Sequence, residues 1–250
     1  MRFTQSLLLA TLLNLTLSLS VFAASPDWSV YAKALQSVKT GNKHDTPLNV
    51  VDYSALKKSG QLEAAYQVIK AFPVKSLASK EEKLAFYINT YNILALKMVL
   101  DNLPVDSIKD VGNVLSPVWK KTAGVISEKD VSLDAIENDV IRKMGEPRIH
   151  FAIVCASVSC PDLRTEPYTA EKLNIQLDDQ VKSFLNNAKK GLNDDGKVIH
   201  VSKIFDWFEK DFKTVGGIEA FIRQHHSGLS KEATIETDID YDWSLNSVGE

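Results

Sequence analysis

The sequence predicts an α+β fold, a mostly helical single domain packed on a small mixed or antiparallel sheet. Three observations carry this. Helical periodicity outweighs strand alternation, the two mix without a regular strand–helix–strand repeat, and one apolar run, Arg148 to Cys155, is too continuous to have a wet face. The length suits one domain, and 44% apolar residues can supply a buried core.

The elements follow in order. Residues 1–23 open with Arg2, carry a mostly apolar stretch from Leu7 to Val21 and end in Val21-Phe22-Ala23. This is the pattern of a secretory signal peptide cut after Ala23, leaving a single domain over residues 24–250. The apolar stretch is shorter than the roughly 20 residues that span a bilayer, so no stable membrane insertion is expected once it is removed. The expected location is periplasmic or secreted. Ser25 and Pro26 begin a helix. "KTGNKHDTPLN", Lys39 to Asn49, reads as a surface loop, and "NVVDY" as a short strand. "LEAAYQVIKAF" reads as a helix that stops before Pro73.

Ser79 to Leu103 is the longest helical signal. Leu84, Ile88, Tyr91, Ala95 and Met98 recur at helical spacing, while Phe86 and Ile93 occupy the other face. A helix apolar nearly all round belongs at the centre of the molecule, against the sheet. Trp119 to Val131 predicts a hairpin around Gly124, and "SLDAIENDVIRKM" a helix capped by Ser132. Arg148 to Cys155 reads as an interior strand. Thr169 to Asn187 is helical, "GKVIHVS" a strand, and Lys203 to His225 helical with a break at Gly216-Gly217. The tail, "IETDIDYDWSLN", is expected to return as an edge strand.

Charge excludes one class of partner. The chain carries a formal net charge of −3, and loss of the leader removes only Arg2 among its charges. A mildly acidic protein lacks the basic face that nucleic acid requires. The expected partner is a small-molecule or peptide ligand.

Chemistry concentrates on residues that fit poorly in apolar settings. Asn89 and Asn92 lie on one side of the buried helix and need partners, since an unsatisfied buried amide costs about 1–3 kcal/mol. They either tie down loop backbone or line a pocket and approach an imidazole. Glu137 sits at the edge of an apolar stripe, and His150 near the start of the apolar run. On an extended strand, His150 and Cys155 would face opposite sides roughly 16 Å apart, whereas a tight reversal could return Cys160 to His150. Both cysteines of the chain fall in "HFAIVCASVSCP". A metal clip fits least, because C-x-x-x-x-C without a neighbouring histidine matches no common zinc pattern; no metal or cofactor is expected. A disulfide and a reactive thiol both remain open.

"EKLAFYINTYNILAL", "VSLDAIENDVIR", "PRIHFAIVCASVSCPDLR", "LDDQVKSFLNN" and "VSKIFDWFEKDF" stand in that order over about residues 51–212. These blocks resemble the family called domain of unknown function 547, in an exported bacterial member. The resemblance implies that Asn89, Tyr91, Asn92, Glu137, Arg148, His150, the Cys155–Pro161 loop, Ser202, Phe205, Trp207 and Asp211 belong to a shared pattern. Two functions follow as expectations. One is a thiol hydrolase or acyltransferase acting on an amide or peptide-like substrate, with Cys160 or Cys155 as nucleophile, His150 as base and Glu137 or Asn89 as orienter. The other is a non-catalytic binding domain whose Cys155–Cys160 loop is clamped by a disulfide.

Overall fold

A computed structural model describes residues 25–248. The expected leader lies outside the described residues. The architecture is α+β, with eight α-helices, several single-turn helices and three small separate sheets among the described residues.

Helix α1 spans Ser29–Ala34, α2 Tyr53–Ser59 and α3 Gln61–Ala71. Between α1 and α2 stands a hairpin of strands β1 (Val38–Lys43) and β2 (Thr46–Val51), antiparallel over its whole length. This corrects the expectation of a loop over residues 39–49. The signal was the two-residue turn His44-Asp45, both at positive φ, the geometry that joins tightly paired strands. Polar residues on an exposed hairpin read as loop by composition alone.

Helix α4, Lys80–Asp101, is the centre of the fold as expected. Ser79 caps it, accepting from the Glu82 N–H while the Glu82 carboxylate returns to the Ser79 N–H, a closed capping box. Its residues from Leu84 to Val99 are almost all buried, and α1, α3 and the following hairpin pack around them. That hairpin pairs β3 (Thr122–Ile126) with β4 (Lys129–Ser132) and turns at Ser127-Glu128, beyond Gly124. Gly124 is instead a close approach, where a Cβ would stand 2.6 Å from a Leu94 methyl. Residues Ala135–Ile141 then form a π-helical segment, in which the Arg142 N–H reaches the Glu137 carbonyl. The amphipathic pattern marked a helix there but not its widened turn, a form often found at functional sites.

The expected interior strand over Arg148 to Cys155 is absent. Pro147–Phe151 is a turn of 3-10 helix, started by the Glu146 carboxylate accepting from the Arg148 N–H, and an irregular segment follows. Burial was read correctly and conformation was not. Ile149 enters the core around α4, while Phe151 enters a second core of Phe184, Phe205, Phe212 and Phe221. Buried backbone needs partners, and side-chain amides supply here what neighbouring strands supply in a sheet. Asn92 donates to the Ala152 carbonyl (3.0 Å) and accepts from the Val154 N–H (2.8 Å). Gln180, on α5 (Leu173–Leu185), donates to the Phe151 carbonyl (2.9 Å).

The third sheet is mixed. Strands β5 (Leu192–Asp194) and β6 (Val198–Ser202) are antiparallel, and β7 (Thr234–Ile239) joins β6 in parallel at the edge, as expected for the tail. Helices α6 (Lys203–Trp207), α7 (Glu209–Phe212) and α8 (Ile218–His225) lie between them, and Gly216 and Gly217 break the helical run at positive φ. Beyond β7 the chain turns back onto the cysteine loop. Val158 N–H donates to Ser244 O, Ser159 N–H to Asp242 O, and Asn246 N–H to Ala156 O. Thus the tail and the cysteine loop hold each other in register.

Candidate functional site

A cavity of about 280 Å³ opens where α4, the π-helical segment, the cysteine loop, α6 and the tail meet. Its lining includes Tyr91, Glu137, His150, Cys155, Cys160, Trp207, Tyr241 and Trp243.

Cys155 and Cys160 are joined as a disulfide, with Cα atoms 6.1 Å apart. Ala156 between them is buried at φ +60°, a conformation that costs an L-residue roughly 1–2 kcal/mol and lets the six-residue loop close. The Cys155 N–H points at the Cys160 sulfur (2.9 Å), and the Tyr241 hydroxyl donates to the same sulfur (3.2 Å). Lys190, almost wholly buried, fixes the loop from behind through the carbonyls of Val158 and Cys160 and the carboxylate of Asp162.

His150 stacks on Phe208 at 3.9 Å between ring centres, and its side chain is fully buried. Its Nε2 lies 2.8 Å from Asp211 Oδ2. Arg142 grips the same carboxylate with Nε (2.6 Å) and Nη2 (2.9 Å). The hydrogen bond from His150 and the Arg142 fork hold Asp211 well below the usual carboxylate range. An ionised carboxylate only accepts, so Nε2 carries the proton and Nδ1 the lone pair. Burial pushes the imidazole pKa down, against the pull of Asp211. Burial therefore favours the neutral imidazole. Its buried Nδ1 has no hydrogen-bond partner among the described residues, in a side chain that lines the cavity.

Glu137 is half-buried, and burial pushes its pKa up to about 7, against the pull of Arg142 and a hydrogen bond with Tyr91. It titrates where a proton donor or acceptor is useful. Asn89 stands apart from the cavity lining; it clamps the backbone of Tyr168, donating to its carbonyl (2.8 Å) and accepting from its N–H (2.9 Å). The carboxylate hydrogen-bonded to the His150 ring is Asp211, not Glu137, and Asn89 makes its contacts elsewhere. The sequence pattern had marked Asp211, but no spacing rule connects it to a histidine 61 positions earlier. The separation of His150 and Cys155 argued from an extended strand lapses with the strand, and both line one cavity.

Three aromatic rings form one wall. Trp207 and Trp243 stack at 5.7 Å, and Tyr241 lies 4.8 Å from the first and 4.5 Å from the second. Among the described residues, no group of three or more histidine, cysteine or acidic side chains is placed to hold a metal, and no helix is long and apolar enough to cross a membrane.

Residues 74–185 match the family described as "Protein of unknown function, DUF547". The chain carries a DUF547 segment. The matched segment supplies Tyr91, Glu137, His150 and both cysteines to the cavity, while Trp207, Tyr241 and Trp243 of its lining, and the Asp211 that holds the His150 ring, come from the chain beyond it. No curated protein and no solved structure matches the chain.

Proposed function

We propose that this protein is an exported thiol hydrolase or acyltransferase acting on amide or peptide-like substrates, whose resting form is the Cys155–Cys160 disulfide. The observation that carries the reading is His150, held by Asp211 and with its Nδ1 unpartnered among the described residues, lining the same cavity as Cys160. Reduction of the disulfide by a dithiol frees two thiols, and the donors already facing the Cys160 sulfur suit a thiolate. His150 takes the thiol proton at Nδ1 while Asp211 and Arg142 keep the ring oriented. The Cys160 sulfur attacks the carbonyl carbon, and the protonated imidazole returns its proton to the leaving amine. Water or a second amine, deprotonated by His150, then releases the acyl group from the thioester.

Export is supported by the leader pattern of residues 1–23 and by the disulfide, which oxidising compartments favour. Intact-mass measurement of the dithiol-reduced protein treated with a peptide thioester tests the chemistry. A transient acyl adduct on wild type, absent from Cys160→Ser and slow to form on His150→Ala, is expected. Equal acylation of all three proteins would leave the cavity a binding pocket with a structural disulfide.

A further inference from the structure

The cavity has a chemical bias that the proposed reaction does not use. Its lining contains the carboxyl groups of Asp134 and Glu137 and no lysine or arginine. Its wall offers the electron-rich faces of Trp207, Tyr241 and Trp243, and its imidazole presents a lone pair rather than a proton. Anionic ligands meet no cation of the lining. A positively charged group meets aromatic faces and a carboxylate, the setting in which desolvated cations bind aromatic rings well.

One ring of this wall already shows the affinity. The Lys109 ammonium stands 4.7 Å from the Trp243 ring centre. Trp207 is 46% exposed, so its ring remains open to a ligand.

We infer that the cavity binds an organic cation, an alkyl- or quaternary-ammonium group of the substrate, on the Trp207–Trp243–Tyr241 wall with Glu137 as its counter-charge. The inference rests on the reading of this cavity as the working site, and it concerns recognition rather than the thiol step. Glu137 faces Tyr91 from α4, Asp134 and Arg142 from its own segment and the turn after it, Asp211 from α7, and Tyr241 from the tail. Arg142 is already committed to Asp211 and to Asn138 Oδ1 (2.6 Å), which leaves the Glu137 carboxylate available to a ligand cation. Because Glu137 titrates near 7, cation binding strengthens as pH rises through that value.

Titrating the oxidised protein, followed by tryptophan fluorescence, isolates recognition from chemistry. Three of the four tryptophans line the cavity. The probes are choline and its neutral isostere 3,3-dimethyl-1-butanol. Choline is expected to bind about tenfold more tightly than the alcohol at pH 8.5, and about fivefold more tightly at pH 8.5 than at pH 5.5. Glu137→Gln should remove the pH dependence, and Trp207→Ala, at an exposed position, should weaken choline about fivefold without altering the fold. Equal binding of the two probes, saturation by neither, or binding of N-acetylglucosamine in place of choline would overturn the inference. Choline selectivity in a protein whose reduced thiols prove unreactive would leave the inference standing and remove the thiol reading alone.

Discussion

Replacing Glu137 by glutamine should stabilise the protein increasingly as pH rises. The carboxyl has an ordinary value of 4.5 and is held near 7 by burial. Well below pH 4.5, both folded and unfolded chains carry its proton, and the group contributes no pH dependence. Between its two values the unfolded chain has released a proton that the folded chain still holds, so wild-type stability falls as pH rises through this window and levels off above about 7. The full shift of about 2.5 units corresponds to about 3.4 kcal/mol at about 1.36 kcal/mol per unit. The side chain is only half-buried, and solvent screening reduces this to about 1–2 kcal/mol. His150 acts in the opposite sense, because burial lowers its pKa: the unfolded chain takes up a proton below about 6.5 that the folded imidazole resists. That contribution is common to both proteins and cancels in their difference. Urea unfolding of wild type and Glu137→Gln at pH 5 and pH 8 measures it. The variant should gain about 1–2 kcal/mol over wild type between the two pH values. A difference that stays constant would mean that Glu137 ionises like a surface carboxylate, and the buried acid in the cavity would be lost from the account.

Three further outcomes are expected. Asn92→Leu leaves the Ala152 carbonyl and the Val154 N–H without partners, and should cost about 2–4 kcal/mol in urea unfolding; a loss under about 0.5 kcal/mol would show that the amide does not hold the segment. Reducing the disulfide releases a loop of sequence separation 5, which the chain-entropy relation values at about 2 kcal/mol, so unfolding midpoints with and without a dithiol should differ modestly while the near-ultraviolet dichroism of the folded protein persists. Asp211→Asn weakens the Arg142 fork and the bond to His150, both about a quarter exposed at the carboxylate; about 2 kcal/mol should be lost, and the imidazole nitrogen resonances should show the Nε2–H tautomer no longer favoured.

The sequence was most legible where one period covers a long element. Helix α4 was readable from its apolar recurrence, and the α+β class from the irregular mixture of elements. It was least legible around His150. A run such as "IHFAIV" reports burial on all sides, and burial is shared by an interior strand and by an irregular segment clamped by Asn92 and Gln180. The deciding partners sit 60 residues before Ala152 and 29 after Phe151, beyond any local pattern. Within the site, His150, Glu137 and the cysteines stood out as polar or reactive groups in apolar surroundings, and the cavity collects them. Asn89 stood out for the same reason yet serves backbone alone, because a buried amide signals a partner without revealing what it is. Tyr241 and Trp243 carried no signal, since a short polar tail gives no hint that it crosses back to the cysteine loop.

The pairing of His150 with a cysteine thiol is tested most directly by the pH dependence of iodoacetamide alkylation in the dithiol-reduced protein, with the modified residue located by mass spectrometry. Cys160 should react first, with its rate titrating well below the roughly 8.5 of an ordinary thiol, and His150→Ala should return that midpoint to the ordinary range. Two cysteines that alkylate at equal rates, with midpoints near 8.5 that His150→Ala leaves unmoved, would contradict it.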